Sequence, residues 1–390
     1  MLPSTAGAAN GDRRPIPVSA RVDRIGLEPD PIRCEGDGVK APLESRSQVW
    51  RCRLSMVALV VGGGVLLLAG VAWGIRVFAS DTVASLQKIS WIPVPMLIVA
   101  MSVAVATTLA TSSIAHRGWG RRLGLAGAAL LVVVAGEHLT TRWGWSWGRG
   151  DHCIDPLRVL HWNATSPKPE EAQAQRDHLA ELDWDVLLVS NDASLFGRWF
   201  AHRWEDGPGG RAWQVRRAGP FALVTDHRVL ESRLAIASGG IWLGVFRVEL
   251  PVAGGREIVI HAIDLPSDPD LPRASLLDDL AQRLRNLRLP AADLVMGDLN
   301  LDAGSRVLAR TYPSLDPAFD RAGRGYAASY PRRWPLWQTD QTLVARDLPV
   351  CGYELLDLGF GTHRAQALSI ERSPGPQRSS VGSSRSQIQP

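Results

Sequence analysis

The sequence predicts a two-sheet α/β sandwich preceded by an N-terminal transmembrane helical region. Three observations predict it. Uncharged apolar runs of spanning length lie between residues 56 and 141. Beyond residue 156, short β-branched runs alternate first with helical patterns and then with one another. Polar side chains recur where those runs end, which is where sheet proteins build sites on loops held by a rigid scaffold.

The chain has 390 residues and a formal charge of +4. Residues 1–53 are rich in Pro, Gly, Arg and Asp without apolar periodicity, and predict a disordered cytoplasmic arm. Residues 371–390, rich in Ser, Arg and Gln, predict a disordered tail. The positive charge is spread over these ends and the loops. No basic cluster interleaves with aromatics on one face, which argues against a nucleic-acid footprint. The first apolar run starts too far from Met1, and is too long, for a signal peptide.

The three predicted spans are 56–75, 92–114 and 123–141 within a membrane region 54–142. The first two carry no charge, and their small residues suit helix contact in lipid. The third, "LGLAGAALLVVVAG", runs into Glu137 and His138. It reads as a span if those two lie at the interface, and otherwise as a buried or re-entrant segment. Arg46, Arg51 and Arg53 precede the first span, and the loop "AHRGWGRR" follows the second, whereas the loop between the first two is nearly balanced. Basic loops stay in the cytoplasm. Three spans then leave the remaining chain outside, with the Trp-rich stretch "RWGWSWGRG" as an aromatic anchor. The expected location is the cell (inner) membrane, multi-pass, with an extracytoplasmic C-terminal domain. Cys153 and Cys351 flank that domain. They form either a disulfide, in an oxidising compartment, or two unpaired thiols.

In the domain, "LRVLHWNA" predicts a strand and "KPEEAQAQRDHLAELDW" a helix with acidic residues in its first turn. "DVLLVSND" is a second buried strand. "AWQVRRA", "PFALVTD", "LAIASGGIWLGVFRVEL" and "REIVIHAID" follow as strands separated by turn residues. "SLLDDLAQRLRNLRL" has Leu at helical spacing. "ADLVMGDLN", "WQTDQTLVA", "GYELLDLG" and "HRAQALSI" complete the strands. In "VMGDLNLD", Gly297 is expected to break the strand. Asp298 and Asn300, two apart, then share a face and can grip water, a metal or a phosphate, or serve a turn. Asn163, Asn191, His261, Asp340 and His363 end other runs.

In this order the motifs resemble the endonuclease/exonuclease/phosphatase superfamily, of DNase I-like fold, in its bacterial membrane-anchored form. The matching pieces are "LHWNA", "IHAIDLP", Gly297-Asp298-Leu299-Asn300, the Ser-Tyr-Pro stretch leading into "RRWPLWQTDQTLV", and "GTHRA". The resemblance covers about 157–370 within a predicted domain 151–370. It implies metal-dependent hydrolysis of a phosphoester or phosphodiester, as nucleases do, with Mg²⁺ or Mn²⁺. Asp298, Asn300, His363, Asp340 and His261 would be catalytic, and Asn163, Asn191 and Asp298 would hold the metal. Asp298 would activate water, Asn300 would fix the phosphate or nucleophile, Asp340 would hold His363 against the phosphoryl oxygens, and His261 would add a donor.

Three departures bear on that chemistry. Asn191 stands where the family places its principal metal-ligating Glu, and Thr362 where it places an Asp before the final His. The family's Ile-Asp-His has become Thr339-Asp340-Gln341. Asp192, one step beyond Asn191, is expected on the opposite face. A catalytically impaired binding or scaffolding module is therefore the second expectation. Expected partners are the lipid bilayer and a phosphate-ester substrate, whether nucleic acid, phospholipid headgroup or small molecule, with no obligate protein partner evident. The loop charges predict that a C-terminal alkaline phosphatase fusion is active in cells and a C-terminal green-fluorescent fusion dark. The reverse pair of readings would place the domain in the cytoplasm.

Overall fold

The computed structural model describes residues 43–373 apart from 80, 115–117, 145–152, 166, 193–194, 197–202, 205–212, 253–254 and 302–303. The chain divides into two units, Met1–Arg53 and Leu54–Pro390. Of the predicted arm, residues 1–42 lie outside the described residues, and 43–53 are helical rather than disordered. The predicted tail lies outside them from residue 374. Within it, residues 371–373 are described, and Arg372 bridges to Val252.

Four helices come first: α1 (Leu43–Phe78), α2 (Gln87–Ser90), α3 (Val94–Ile114) and α4 (Gly118–Arg142). Three of them contain stretches long and apolar enough to cross a membrane, Gln48–Phe78, Val94–Ser113 and Gly118–Arg142. The third apolar run thus sits inside a helix of 25 residues, with Glu137 and His138 in its last turns. Gly124 and Gly127 of α4 lie against Leu109 of α3 and Leu66 of α1, and this close approach leaves no room for a larger side chain. Leu67, Leu68 and Val132 point outward, as lipid-facing residues do.

The domain opens with β1 (Trp143–Gly144), β2 (Leu157–Asn163), α5 (Pro169–Glu181), β3 (Val186–Ser190) and β4 (Arg203–Trp204). Two antiparallel runs follow, one in each sheet: β5 (Trp213–Ala218) with β6 (Phe221–Thr225), then β7 (Val229–Ser238), β8 (Ile241–Glu249) and β9 (Glu257–Asp264). Then come α6 (Arg273–Asn286), β10 (Leu294–Asp298), α7 (Arg306–Thr311), β11 (Leu315–Pro317), α8 (Ala318–Ala322) and β12 (Gly323–Tyr326). The last strands are β13 (Asp340–Ala345), β14 (Val350–Leu356) and β15 (Ala365–Ile370). One sheet has the order β1-β12-β14-β15-β2-β3-β6-β5-β4 and the other β11-β13-β10-β9-β8-β7. This is the expected two-sheet α/β sandwich. The short elements between 306 and 326 lack a sequence period long enough to read.

Alternation along the strands builds the core. Leu157 and Val159 of β2, and Val186 and Leu188 of β3, face the opposing sheet in one cluster with Ile258, Ile260, Leu294 and Met296. Leu160, Trp162, Leu187 and Val189 face the other way, onto Ala172 and Leu179 of α5. Period-two burial therefore fixes which residue emerges at each strand end. Cys153 and Cys351 form a disulfide with Cα atoms 6.0 Å apart, closing the start of the domain onto β14.

The domain is fastened to the spans. In the loop after α1, Gln87 Nε2 donates to the carbonyls of Pro269 (3.0 Å) and Leu271 (2.9 Å), and its Oε1 accepts from Arg273 N (2.8 Å). Trp337 Nε1 donates to Trp91 O (2.9 Å). Arg306 Nη2 donates to Val77 O (3.1 Å) at the end of α1, and Arg142 Nη1 to Gln338 Oε1 (2.7 Å) at the end of α4. All three spans thus present one end to the domain.

Gly297 does not end its strand, contrary to the sequence expectation: β10 runs through it to Asp298. The glycine is needed for closeness. A Cβ at residue 297, where φ is +155°, would lie 1.7 Å from the Ile263 carbonyl oxygen of β9. Gly297→Ala should destabilise the protein by about 3 kcal/mol or more, read as a lowered thermal midpoint in detergent. An unchanged midpoint would mean that β9 and β10 separate freely.

Candidate functional site

Three adjacent strands of the six-stranded sheet bring their carboxylates into one row. β10 pairs with β9 in parallel and with β13 antiparallel, so Asp298 lies in register with both Asp264 and Asp340. All three are at one end of the sandwich and on its inner face. β2 of the facing sheet delivers Asn163 to the same place, and its Nδ2 donates to Asp298 Oδ2 (3.1 Å). His363, in the turn before β15, puts Nδ1 2.7 Å from Asp340 Oδ2 and Nε2 4.0 Å from Asp298 Oδ2. Its ring lies against Tyr330, centroids 4.8 Å apart.

Asn191 follows Ser190, whose side chain is already turned inward to His161, 2.9 Å away. Strict alternation would send the next residue outward. Asn191 instead adopts φ +56°, a left-handed conformation that Asn tolerates, and stays in the cleft. Its Nδ2 donates to Asp264 Oδ2 (3.0 Å) and Asn163 Oδ1 (3.2 Å). Asp192 then faces away, bound by both Arg217 guanidinium nitrogens (3.0 and 2.8 Å). Asn300, also at positive φ, receives Asp298 Oδ1 at its backbone N–H (3.2 Å) and donates Nδ2 to Leu265 O (2.7 Å). The cleft has a volume of 650 Å³, and its walls include Asn163, Asn191, Asp264, Asp298, Asn300 and His363. Thr362 lines it as well, with its hydroxyl 3.4 Å from that of Thr165.

His261 is not brought to this cleft. It pairs in register with Val295, an odd step of three from the Asp264–Asp298 rung, so its side chain leaves by the other face. There its Nδ1 lies 3.4 Å from the Tyr312 hydroxyl in a buried contact. The residue of β9 that does reach the cleft is Asp264, which sequence reasoning missed. The signal was present: "IHAID" offers two polar residues three apart, and only one can share the face of Asp298. His161 was missed as well. It lies beneath Asn163 with Nε2 on Ser190 and Nδ1 2.6 Å from Gln366 Nε2. Gln341, in place of a His, turns outward to Leu301 O (2.7 Å).

The electrostatics follow from crowding. Burial and then the Asp340 charge raise Asp298 to about 8, and burial raises Asp264. Burial also opposes charge on Asp340 and His363. Their mutual attraction and shared hydrogen bond overcome it, holding Asp340 below and His363 above their usual values. Asp298, Asp340 and His363 have ligand atoms within 4.8 Å of one another. Buried Asp298 and Asp340 and half-buried Asp264 against one imidazolium leave negative charge in excess once Asp298 ionises. The amides of Asn163 and Asn191 add oxygens once the Asn191 amide is rotated. An all-oxygen set with surplus negative charge fits a hard divalent cation such as Mg²⁺ or Mn²⁺. Asp264, on β9 of the facing sheet, would return the negative charge that Asn191 lacks.

No family model matches the chain, and no curated protein matches its sequence. Similar solved structures include a conserved protein of unknown function from Enterococcus faecalis, at 11% identity over 56% of this chain and 100% of that one, TM-score 0.41. They also include an endonuclease/exonuclease/phosphatase from Beutenbergia cavernae, at 14% identity over 56% of this chain and 72% of that one, TM-score 0.38. A third is a mannosyl-6-phosphatase from Bacteroides thetaiotaomicron, at 12% identity over 55% of this chain and 99% of that one, TM-score 0.38.

Burial lowers both His161 and His261 to about 4, well under the 6.5 of a free imidazole. Unfolding therefore takes up protons, and stability present above about pH 6.5 is lost as pH falls towards about 4. His261→Gln should remove part of that acid loss, up to roughly 3 kcal/mol, flattening the pH dependence of the thermal midpoint. An unchanged slope would mean that His261 is as free to charge in the folded chain as in the unfolded one.

Proposed function

We propose that the chain is a membrane-anchored, metal-dependent phosphoester hydrolase whose domain stands on the extracytoplasmic side. The observation that carries this reading is the row Asp264–Asp298–Asp340 facing Asn163, Asn191 and His363 across one cleft. The order of the sequence motifs supports it. The Cys153–Cys351 disulfide supports an oxidising compartment, as do the basic loops on the opposite side of the spans.

Asn163, Asn191, Asp264 and Asp298 would hold the cation. Bound there, it supplies charge neutralisation for the phosphate and polarises its oxygens. Asp298 accepts the proton of the attacking water, for which a carboxyl raised by burial is suited. Asn300, its nitrogen fixed on the Leu265 carbonyl, offers its amide oxygen to position that water. His363 has Nδ1 committed to Asp340, so Nε2–H is left to donate to a phosphoryl oxygen as charge grows there. Tyr330 backs the ring and limits its rotation. His261 has no part in these steps.

One observation favours a second reading, a binding or scaffolding module without hydrolysis. The Asn191 amide nitrogen satisfies Asn163 Oδ1 and Asp264 Oδ2 together, closing the network without an ion.

Mn²⁺ titration and phosphodiester hydrolysis by the detergent-solubilised full chain separate the two. Asp264→Asn should weaken Mn²⁺ binding at least about tenfold. Asn191→Glu should strengthen it. Asp298→Ala and His363→Ala should each lower hydrolysis by about 100-fold or more with the thermal midpoint retained. A wild-type chain that neither binds Mn²⁺ nor hydrolyses any ester would leave the second reading in place.

A further inference from the structure

The cleft is not built by the domain alone. Trp91, from the loop joining the first two spans, forms part of its wall beside Asp264, Asp298 and His363. Trp91 lies three residues before Val94, where α3 begins its span. It is held firmly. Its carbonyl accepts from Trp337 Nε1, and the Arg273 guanidinium stacks 5.1 Å from its ring centre. Arg273 is itself fully buried, with Nη1 on the carbonyl of Pro266, another cleft residue (2.6 Å). Gln87 clamps the same loop to the segment after β9.

The height of the cleft above the bilayer is set by these fastenings. The ends of α1, α3 and α4 all meet the side of the domain on which the cleft opens. Arg142, the last residue of α4, is bonded to Gln338, next to the cleft residues Trp337 and Thr339. A soluble substrate gains nothing from a site so placed, whereas a headgroup in the facing leaflet meets it directly.

The rim has the composition of a membrane interface. Tyr330 and Trp337 pair across a tight turn, and both line the cleft. At the tip of that turn Arg333 is exposed, and Trp334 is 81% exposed, an unusual state for the largest apolar side chain. Trp242, also at the cleft, is 40% exposed, and Ile92 and Leu271 beside the clamped loop are exposed as well. Trp with Arg is what the headgroup layer favours, the ring at the apolar boundary and the cation on lipid phosphates.

We infer that the substrate is a phosphate ester carried by a lipid of the facing leaflet, admitted past Trp91 while the Arg333–Trp334 turn rests in the headgroup layer. This rests on the hydrolase reading above and narrows its substrate. The shared chemistry is the phosphate ester, and the lipid or soluble source is what the test separates.

The full chain is placed in phosphatidylcholine nanodiscs doped with phosphatidic acid or phosphatidylglycerol, with Mn²⁺ present. Glycerol 3-phosphate and bis(p-nitrophenyl) phosphate serve as soluble esters. The wild type should hydrolyse a doped lipid in preference to the soluble esters. The double variant Arg333→Ser, Trp334→Ser lies outside the cleft. It should lower the lipid rate about tenfold and leave the soluble rate within about twofold. Soluble hydrolysis without lipid hydrolysis, or a double variant that shifts both rates alike or neither, overturns the lipid inference and leaves the hydrolase reading standing. Hydrolysis of no ester of either kind overturns the hydrolase reading, and the inference with it.

Discussion

Asp264, Asp298 and Asp340 occupy one row across three hydrogen-bonded strands, whose backbones lie about 4.8 Å apart. Asp298 and Asp340 are buried and Asp264 half-buried, so little water screens them. Like charges so placed repel strongly, and the rest of the site is arranged around that repulsion. His363 supplies the one positive charge and takes Asp340 as its partner. Asn163 donates to Asp298, and Asn191 donates to Asp264. Even so Asp298 is held near 8, and its ionisation would leave surplus negative charge facing the cleft, the condition a divalent cation relieves.

Beneath the charged row lies a layer of neutral polar groups. His161 is held between Ser190 and Gln366, and Gln366 Oε1 accepts from Thr342 Oγ1 (2.6 Å) and from the Tyr353 hydroxyl (2.8 Å). This network ties the two sheets together at the depth where hydrocarbon packing gives way to the site. Its members are buried, so each polar atom needs a partner; Thr342 comes from the six-stranded sheet and the others from the nine-stranded one. The cleft therefore keeps its width through hydrogen bonds that fix side-chain rotamers as well as through apolar contact. Asn163 and Asp298 stand directly above it.

The long apolar helices belong to the same construction. A tether needs only one covalent link, yet the loop after α1, the end of α1 itself and the end of α4 all make side-chain or backbone hydrogen bonds to the domain. Arg273 shows the cost of that docking. A guanidinium fully removed from water demands several acceptors, and it finds the carbonyls of Pro266 and Asp268 and the face of Trp91. Such a contact fixes orientation, and it places Trp91 in the cleft wall.

Much of this protein was legible in its residues. Apolar runs gave the spans, because length and the absence of charge are local properties. Period-two patterns gave most of the strands, and with them the prospect that Asn163, Asp298, Asn300, Asp340 and His363 emerge at strand ends; in the structure four of these line one cleft, and Asp340 lies behind it on His363. Parity alone also held the answer for β9: His261 and Asp264 cannot share a face, and the sequence shows both. It does not show which of them lies level with Asp298, since register between β9 and β10 is set by pairing between residues more than thirty positions apart. The inward turn of Asn191 depends on a single left-handed φ, which neighbours impose and composition does not reveal. Trp91 is more distant still, a residue of the connection between the first two apolar helices whose place in the cleft exists only once the domain folds back onto them. Periodicity along the chain is written locally. Adjacency between chain segments arises only when burial selects one packing among the many that the same periodicities allow.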